Sequence, residues 1–144
     1  MSAINSYLIK HNSIKWAYPH IIPINRDNRF NYYKNALLCC FPAHFEPFGL
    51  TCIEAMFVGG LVLGSSSGGM SEIIKDGEDG FLVAPKNKKL LQNKIIEILA
   101  LEKTNKEAIK FSAGNKVLNK FSEKQILKEM VSFYNQVINI NKIE

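Results

Sequence analysis

Two glutamates and a glycine about a third of the way along this 144-residue chain are spaced to bind a phosphorylated ligand that carries hydroxyl groups. Glu46 falls in Pro42–Gly49, a segment that follows an apolar run, and Glu54 falls about one turn inside a predicted helix. Gly49 lets the backbone approach a ligand, and the free N–H groups at the helix start favour an anion such as phosphate. Carboxylates repel phosphate, so we expect them to accept hydrogen bonds from the hydroxyls of a ribose or a hexose.

The same residues allow other interpretations. Thr51–Glu54 has the form of a capping box, in which the Glu54 carboxylate would bond the Thr51 amide. Glu46 could be an exposed loop carboxylate. A second glycine-bearing loop, Gly64–Gly69, would either face a bound phosphate or sugar or only connect a strand to a helix. Asp76–Gly80 reads as a turn with solvated acids.

No metal site is predicted. The cysteines (Cys39, Cys40, Cys52) lack metal-ligand spacing, and we expect buried thiols. The histidines (His11, His20, His44) include no pair at the i, i+4 spacing of a helical zinc site.

Short apolar runs alternate with segments that are long enough for helices. We predict four buried strands: Ile14–Tyr18, Leu37–Phe41, Leu61–Gly64 and Phe81–Val83. The connecting helices are Asn28–Ala36, about Leu50–Val58 and a short one near Met70. Runs that are apolar on both faces, with helical connections, indicate parallel strands, so the fold class is α/β with a parallel sheet of about four strands and flanking helices.

After Pro85 the pattern is helical throughout. The first helix has an apolar stripe at Leu91, Ile95, Ile98 and Leu99, and a weaker helix covers about Asn105–Asn119. A third begins at Ser122, where SEKQ has the form of a capping box. We expect this last helix to bury the stripe Ile126, Met130, Phe133, Tyr134 and Val137.

The net charge of +5 comes entirely from the tail, because residues 1–85 carry net −1 and residues 86–144 carry net +6. The tail has Lys but no Arg, which favours a solvated helix face over nucleic-acid binding; weak attraction to a membrane surface is the alternative. The sequence shows neither an apolar stretch long enough to span a membrane nor a secretion signal, so we expect a cytoplasmic location. Peripheral contact with the inner face of the membrane is the alternative.

The central segment resembles the donor-binding segment of glycosyltransferase family 4, whose members are retaining transferases of the GT-B fold with two Rossmann-like domains across a cleft. The resemblance rests on two glutamates with seven residues between them and on the PFG and GG elements around them: Glu46, Pro47, Phe48, Gly49, Leu50, Ile53, Glu54, Ala55, Met56, Gly59, Val62, Gly68, Gly69, Glu72, Ile73, Gly77, Gly80, Leu82 and Val83. A looser similarity covers about Ile14–Ile138.

The resemblance implies a role for each site residue. Glu54 would bind the ribose hydroxyls of a nucleotide-diphosphate-sugar, the Gly49 and Leu50 amides would hold its diphosphate, and Glu46 would be the catalytic residue, in contact with the donor sugar near the reacting carbon. Pro47 and Phe48 complete the substrate-binding set. The family usually works without a bound metal, so we expect no metal and no cofactor. Glu72 belongs to the motif, and we take it as structural.

The chain also departs from the family. Ala43, Leu61 and Ser71 stand where the family often has Ser, Pro and Pro, and the sole cation in residues 42–83 is Lys75. The resemblance begins late in the family's second domain, so we expect the acceptor-binding first domain and the second domain's opening strands to be absent from residues 1–144. We therefore expect residues 1–144 to form one incomplete donor-binding domain, with a sheet part over about 14–85 and a helical part over 86–144.

The resulting hypothesis is the donor-binding part of a retaining glycosyltransferase that transfers a hexosyl group to a glycan or lipid-linked acceptor, as in polysaccharide biosynthesis. The alternative is a non-catalytic remnant or interaction module. The interpretation as a dinucleotide-binding dehydrogenase domain has little support, because no GxGxxG motif follows the first strand. The chain alone should transfer no sugar and should need a first-domain partner chain or self-association, since Ile14–Tyr18 must pair with Leu37–Phe41 or leave that run as an open edge.

Overall fold

The computed structural model describes Asn25 and residues 28–140. The elements in chain order are α1 (Arg29–Asn35), β1 (Cys39–Phe41), α2 (Leu50–Phe57), β2 (Val62–Ser65), α3 (Met70–Ile73), β3 (Phe81–Val83), α4 (Lys88–Ala100), α5 (Lys103–Lys120) and α6 (Glu123–Ile140). The three strands form a parallel sheet in the order β1-β2-β3. This confirms the α/β class and three of the four predicted strands; Ile14–Tyr18 lies outside the described residues.

The central strand β2 divides the core into two layers. All four of its residues are buried, as expected for a parallel strand that is covered on both faces. Val62 packs into a cluster with Met56 of α2 and Met70 of α3, whereas Leu63 packs into a second cluster with Ile98 of α4. The alternation follows from the two-residue period of a strand, and it places α2 and α5 on one face of the sheet and α4 on the other.

The predicted helices are present, with shifts of a few residues at their ends. The weak segment around Asn105–Asn119 is part of an 18-residue helix, α5, which buries Ala113 and Val117 against the α2 side of the sheet. Ser122 caps α6 as predicted, since its Oγ accepts a hydrogen bond from the Gln125 amide at 3.4 Å. Only half of the capping box forms, because the Gln125 side chain bonds Glu129 instead.

The prediction of a buried stripe on the last helix is wrong. Every member of the stripe is exposed, from 39% at Val137 to 60% at Phe133, and so are Leu127, Val131 and Ile138. The helical period is present, but α6 makes few contacts with α5, and no described residue covers its apolar face. Periodicity reports that a helix is amphipathic; it does not say what lies against the apolar side.

The expectation of three buried thiols holds for two of them. Cys39 and Cys52 are buried, and Cys40 is exposed because its side chain points to the opposite face of β1 from Cys39. Burial raises the pKa of the Cys52 thiol to about 12, so this residue behaves as a small core side chain. None of the helices in the described part of the chain combines the length and the apolar character that crossing a bilayer would take.

Candidate functional site

The segment between β1 and α2 forms a loop at the carboxyl edge of the sheet, as predicted. It ends at Gly49, which has φ of +74° and precedes the first residue of α2. The positive φ favours glycine here, and a Cβ atom built on Gly49 would lie 2.7 Å from Cδ1 of Ile73, so that side chain would have to shift. Carboxyl ends of parallel strands are where open α/β sheets bind ligands, and this loop therefore occupies the expected position for a site.

The Glu46 carboxylate folds back onto the backbone of its own loop. Its Oε1 accepts hydrogen bonds from the Gly49 amide at 3.1 Å and from the Phe48 amide at 3.4 Å. The interpretation of Glu46 as an exposed loop carboxylate is wrong, because the residue is half-buried and bonded. Glu46 thus occupies one of the two amides that the family resemblance assigns to a diphosphate.

The second glycine loop lies directly against the Glu46 loop. The Gly69 amide donates to the Glu46 carbonyl oxygen at 2.7 Å, and Ser67 Oγ donates to the His44 carbonyl oxygen at 3.2 Å. A Cβ atom on Gly68, whose φ is +59°, would overlap the Glu46 carbonyl group. The close packing of the two loops therefore explains Gly68 and Gly69. The same contact holds the backbone of the Glu46 loop in place.

Glu54 pairs with a residue that the spacing of the motif did not indicate. The Nη2 atom of Arg29, at the start of α1, lies 2.5 Å from Glu54 Oε1, and each side chain keeps 27% of its surface exposed. The capping-box interpretation is wrong: α2 begins at Leu50 with Gly49 as its N-cap, and the Glu54 carboxylate reaches across to α1 rather than back to Thr51. Arg29 and Glu54 are 25 positions apart, so no local pattern links them.

The ion pair leaves two buried atoms without a partner. Neither Glu54 Oε2 nor Arg29 Nε has a hydrogen-bond partner among the described residues. Tyr33 lies close enough to Glu54 to feel its charge. Burial is the main cause that raises the pKa of the Tyr33 phenol, and the negative charge of Glu54 raises that pKa further. Glu54 also lines an open cavity of about 440 Å³ whose other walls are mostly apolar: Phe30, Ile53, Phe57, Val117, Leu118, Phe121 and Ser122.

The remaining members of the predicted site lie on the surface. Pro47 is exposed, and Phe48 and Leu50 are 76% and 67% exposed, so apolar side chains lie on the surface at the tip of the loop. Glu72, taken as structural, is exposed on α3.

The acidic turn is present at Asp76–Gly80, but its acids are not all solvated. Asp79 is buried; its Oδ1 accepts from the Lys75 amide at 2.7 Å, and its Oδ2 accepts from Lys116 Nζ, also at 2.7 Å. Asp76 Oδ1 accepts from the Leu82 amide. The solvated interpretation is therefore wrong for Asp79, whose ion pair joins the turn to α5, away from the sheet edge. Within the described residues, no group of three His, Cys, Asp or Glu side chains could hold a metal ion.

Comparison with solved structures places this architecture among glycosyltransferases of the GT-B fold. Sucrose-phosphate synthase from Thermosynechococcus elongatus superposes with a TM-score of 0.74 and 28% identity, over 95% of this chain and 34% of that one. The Anabaena protein HepE, solved in complex with UDP-glucose, has a TM-score of 0.64 and 25% identity, over 72% of this chain and 29% of its own.

Sequence comparison agrees with the structural one. The family Glycosyl transferases group 1 matches residues 20–113, and the chain belongs to that family. An uncharacterised glycosyltransferase of Methanocaldococcus jannaschii is 36% identical over 111 residues, which are 77% of this chain and 28% of that protein. The capsular polysaccharide biosynthesis glycosyltransferase CapM of Staphylococcus aureus is 31% identical over 118 residues, 81% of this chain and 31% of CapM. The chain thus spans less than a third of either relative.

Proposed function

We propose that this chain is the donor-binding domain of a retaining glycosyltransferase and holds a nucleotide-diphosphate-sugar at the carboxyl edge of its sheet. The observation that carries the proposal is the position of Glu46, Gly49 and Glu54 around the start of α2. Glu54 lies five positions after Gly49 along the helix, a rise of about 7.5 Å, which is comparable to the distance between the diphosphate and the ribose of one nucleotide. HepE, which shares the fold, has been solved with UDP and with UDP-glucose, and this supports the same ligand class here.

The hydrogen bonds of Glu46 suggest how a donor would be received. A diphosphate needs the Gly49 amide that Glu46 now holds, so the bound phosphate would displace the carboxylate. Glu46 would then be free to accept a hydrogen bond from the donor sugar, with Pro47, Phe48 and the Leu50 amide lining the same loop. The ligand therefore replaces an internal contact, and the loop would keep its backbone position because the Gly69 amide holds it from the other side.

The reaction of the whole enzyme would be hexosyl transfer to a glycan or lipid-linked acceptor. The bond between the anomeric carbon and the diphosphate oxygen breaks, a bond to an acceptor hydroxyl oxygen forms with the same configuration, and the acceptor proton and the nucleoside diphosphate leave. We propose that this chemistry uses no bound metal or other cofactor. Residues 1–144 alone would bind donor and transfer no sugar, because positioning two substrates together can contribute about 7 to 11 kcal/mol of the barrier.

A partner that completes the enzyme is part of the proposal. The apolar face of α6 is uncovered by any described residue, and an exposed face of this kind is typical of an interaction surface. We propose a first-domain partner chain, with self-association as the alternative, and a cytoplasmic location with at most weak contact at the inner membrane face through the Lys-rich helices. A non-catalytic module with the same surface is the second candidate, and the exposed α6 face is the observation that favours it.

Donor binding tests the proposal directly. Calorimetric titration of the chain with UDP, GDP and ADP should give millimolar affinity for one of them, about tenfold weaker in Glu54→Gln because a charge-assisted hydrogen bond is lost. Glu78→Gln, a carboxylate in the exposed pair with Lys75, is the matched control and should bind like the unaltered chain. EDTA should leave the affinity unchanged. Absence of binding to all three nucleotides would favour the non-catalytic module.

A further inference from the structure

The cation that faces Glu54 has no role in the function proposed above. Arg29 is the first residue of α1, and its Nη2 atom donates to Glu54 Oε1. Among the described residues it is the sole ion-pair partner of Glu54. The wall around the pair includes Phe30, Ile53 and Phe57, which provide no hydrogen bond to a carboxylate.

We propose that Arg29 is a positioning residue that holds the Glu54 carboxylate oriented for a vicinal diol, as on a ribose ring. This inference rests on the proposed function, because it assigns the residue that prepares the same site. One oxygen of Glu54 is bound by Arg29, and the other, Oε2, is the acceptor for the ligand.

The two unpartnered atoms of the pair carry the argument. Glu54 Oε2 is an acceptor and Arg29 Nε–H is a donor, and both are buried without a partner among the described residues. Leaving a buried polar group unpaired is costly, so an unpaired donor and acceptor side by side point to a ligand group that pairs with them. A hydroxyl is both donor and acceptor, and two neighbouring hydroxyls can satisfy the pair: one donates to Oε2 while the other accepts from Nε–H.

The pair can be reached by such a ligand. Neither orphan atom has accessible surface, but each side chain keeps 27% of its surface exposed, and Glu54 lines the open cavity. A rotation of the two side chains within their ion pair would therefore present Oε2 and Nε–H to the diol. Without Arg29 the carboxylate would lose the ion-pair partner that orients it beside a mostly apolar wall. It would then turn to solvent, and Oε2 would no longer face the ligand.

Discrimination between ribose and deoxyribose separates this role from a merely structural one. The full chain is titrated with UDP and 2′-deoxy-UDP, and in parallel with the GDP and ADP pairs. We expect the unaltered chain to prefer the ribonucleotide by about tenfold or more, and Arg29→Gln to reduce that preference to about twofold or less. Arg29→Lys keeps a charged donor and should restore most of the preference. Lys75→Gln, which removes a cation from an exposed pair, should leave it unchanged.

A second background keeps the test decisive if Arg29→Gln alone unfolds. In Glu54→Gln the carboxylate charge is absent, so adding Arg29→Gln should cost no more than the one hydrogen bond from Nε–H, at most about tenfold in nucleotide affinity. A larger fall in affinity there would show that Arg29 acts independently of Glu54 and would overturn the inference, as would an Arg29→Gln variant that keeps the ribose preference. If the unaltered chain binds none of the nucleotides, the proposed function fails and the inference fails with it; binding that depends on Glu54 and not on Arg29 defeats the inference alone.

Discussion

The loops at the sheet edge are tightly packed against each other, whereas the last helix leaves its apolar face exposed. At the sheet edge, the two loops approach so closely that Gly68 and Gly69 leave no room for side chains, and their backbone and hydroxyl groups bond across the contact. On α6, a row of large apolar side chains has nothing from the described residues against it. The loop contact at the sheet edge is therefore made within this chain, whereas the apolar face of the last helix is left uncovered by the described residues.

The largest expected effect is at Gly68. Gly68→Ala would meet the Glu46 carbonyl group and would also force an L-residue to φ of +59°, so we expect a loss of about 2 to 6 kcal/mol of stability. Gly77→Ala is the matched control, because Gly77 has φ of +78° and open space around it. It should lose about 1 to 2 kcal/mol from backbone strain alone. Urea unfolding of both variants measures the difference, and equal losses would mean that the two loops are not tightly packed.

The buried ion pair between the acidic turn and α5 should come next. Asp79→Asn removes the charged partner of Lys116, whose side chain is only 16% exposed, and we expect a loss of about 1.5 to 3 kcal/mol. Glu78→Gln breaks a pair in the same turn whose side chains are 60% or more exposed, and it should cost less than about 1 kcal/mol. Thermal unfolding of the two variants makes the test. Similar shifts would indicate that Asp79 is solvated, as its turn sequence suggests.

The smallest effect on stability should come from α6. Phe133→Ser removes a ring that is 60% exposed, so we expect a change within about 0.5 kcal/mol. Ile98→Ala is the buried counterpart on α4 and should cost about 2 to 5 kcal/mol. Sedimentation velocity should separate the two variants. Phe133→Ser should weaken association with a copy or a first-domain partner while the fold stays intact. Ile98→Ala should weaken association only to the extent that the chain unfolds. A large loss of stability in Phe133→Ser would show that the stripe is covered within the chain.

The strands and the loop before α2 could be predicted from the sequence because each is encoded by a short, continuous stretch of residues. The buried strand β2 lies in one continuous apolar run, and Gly49 stands where a strand-to-helix loop needs a positive φ. The ion pairs between residues far apart in the sequence could not be predicted in this way. Arg29 meets Glu54 across 25 positions and Lys116 meets Asp79 across 37, and both contacts depend on how helices pack rather than on spacing along the chain.

Glu46 and α6 show a different limit. The type and position of Glu46 indicated a residue at the sheet edge, where the structure places it, but spacing alone did not show that its carboxylate bonds the Gly49 amide. For α6 the amphipathic period was correct, and the error lay in assuming that an apolar stripe is buried within its own domain. Its role in binding a partner stays a prediction.

The proposed donor site at the sheet edge is tested most directly by measuring which backbone amide chemical shifts change when a nucleotide is added. The chain, at 16.3 kDa, is small enough for amide-resolved NMR of a ¹⁵N-labelled sample titrated with UDP to millimolar concentration. We predict the largest shifts at Phe48, Gly49 and Leu50, because phosphate would displace Glu46 there, and at Glu54 through the ribose contact; Gly77 should not move. Shifts confined to the Lys-rich helices α4 to α6 would contradict this prediction, since they would show charge attraction without a donor site at the sheet edge.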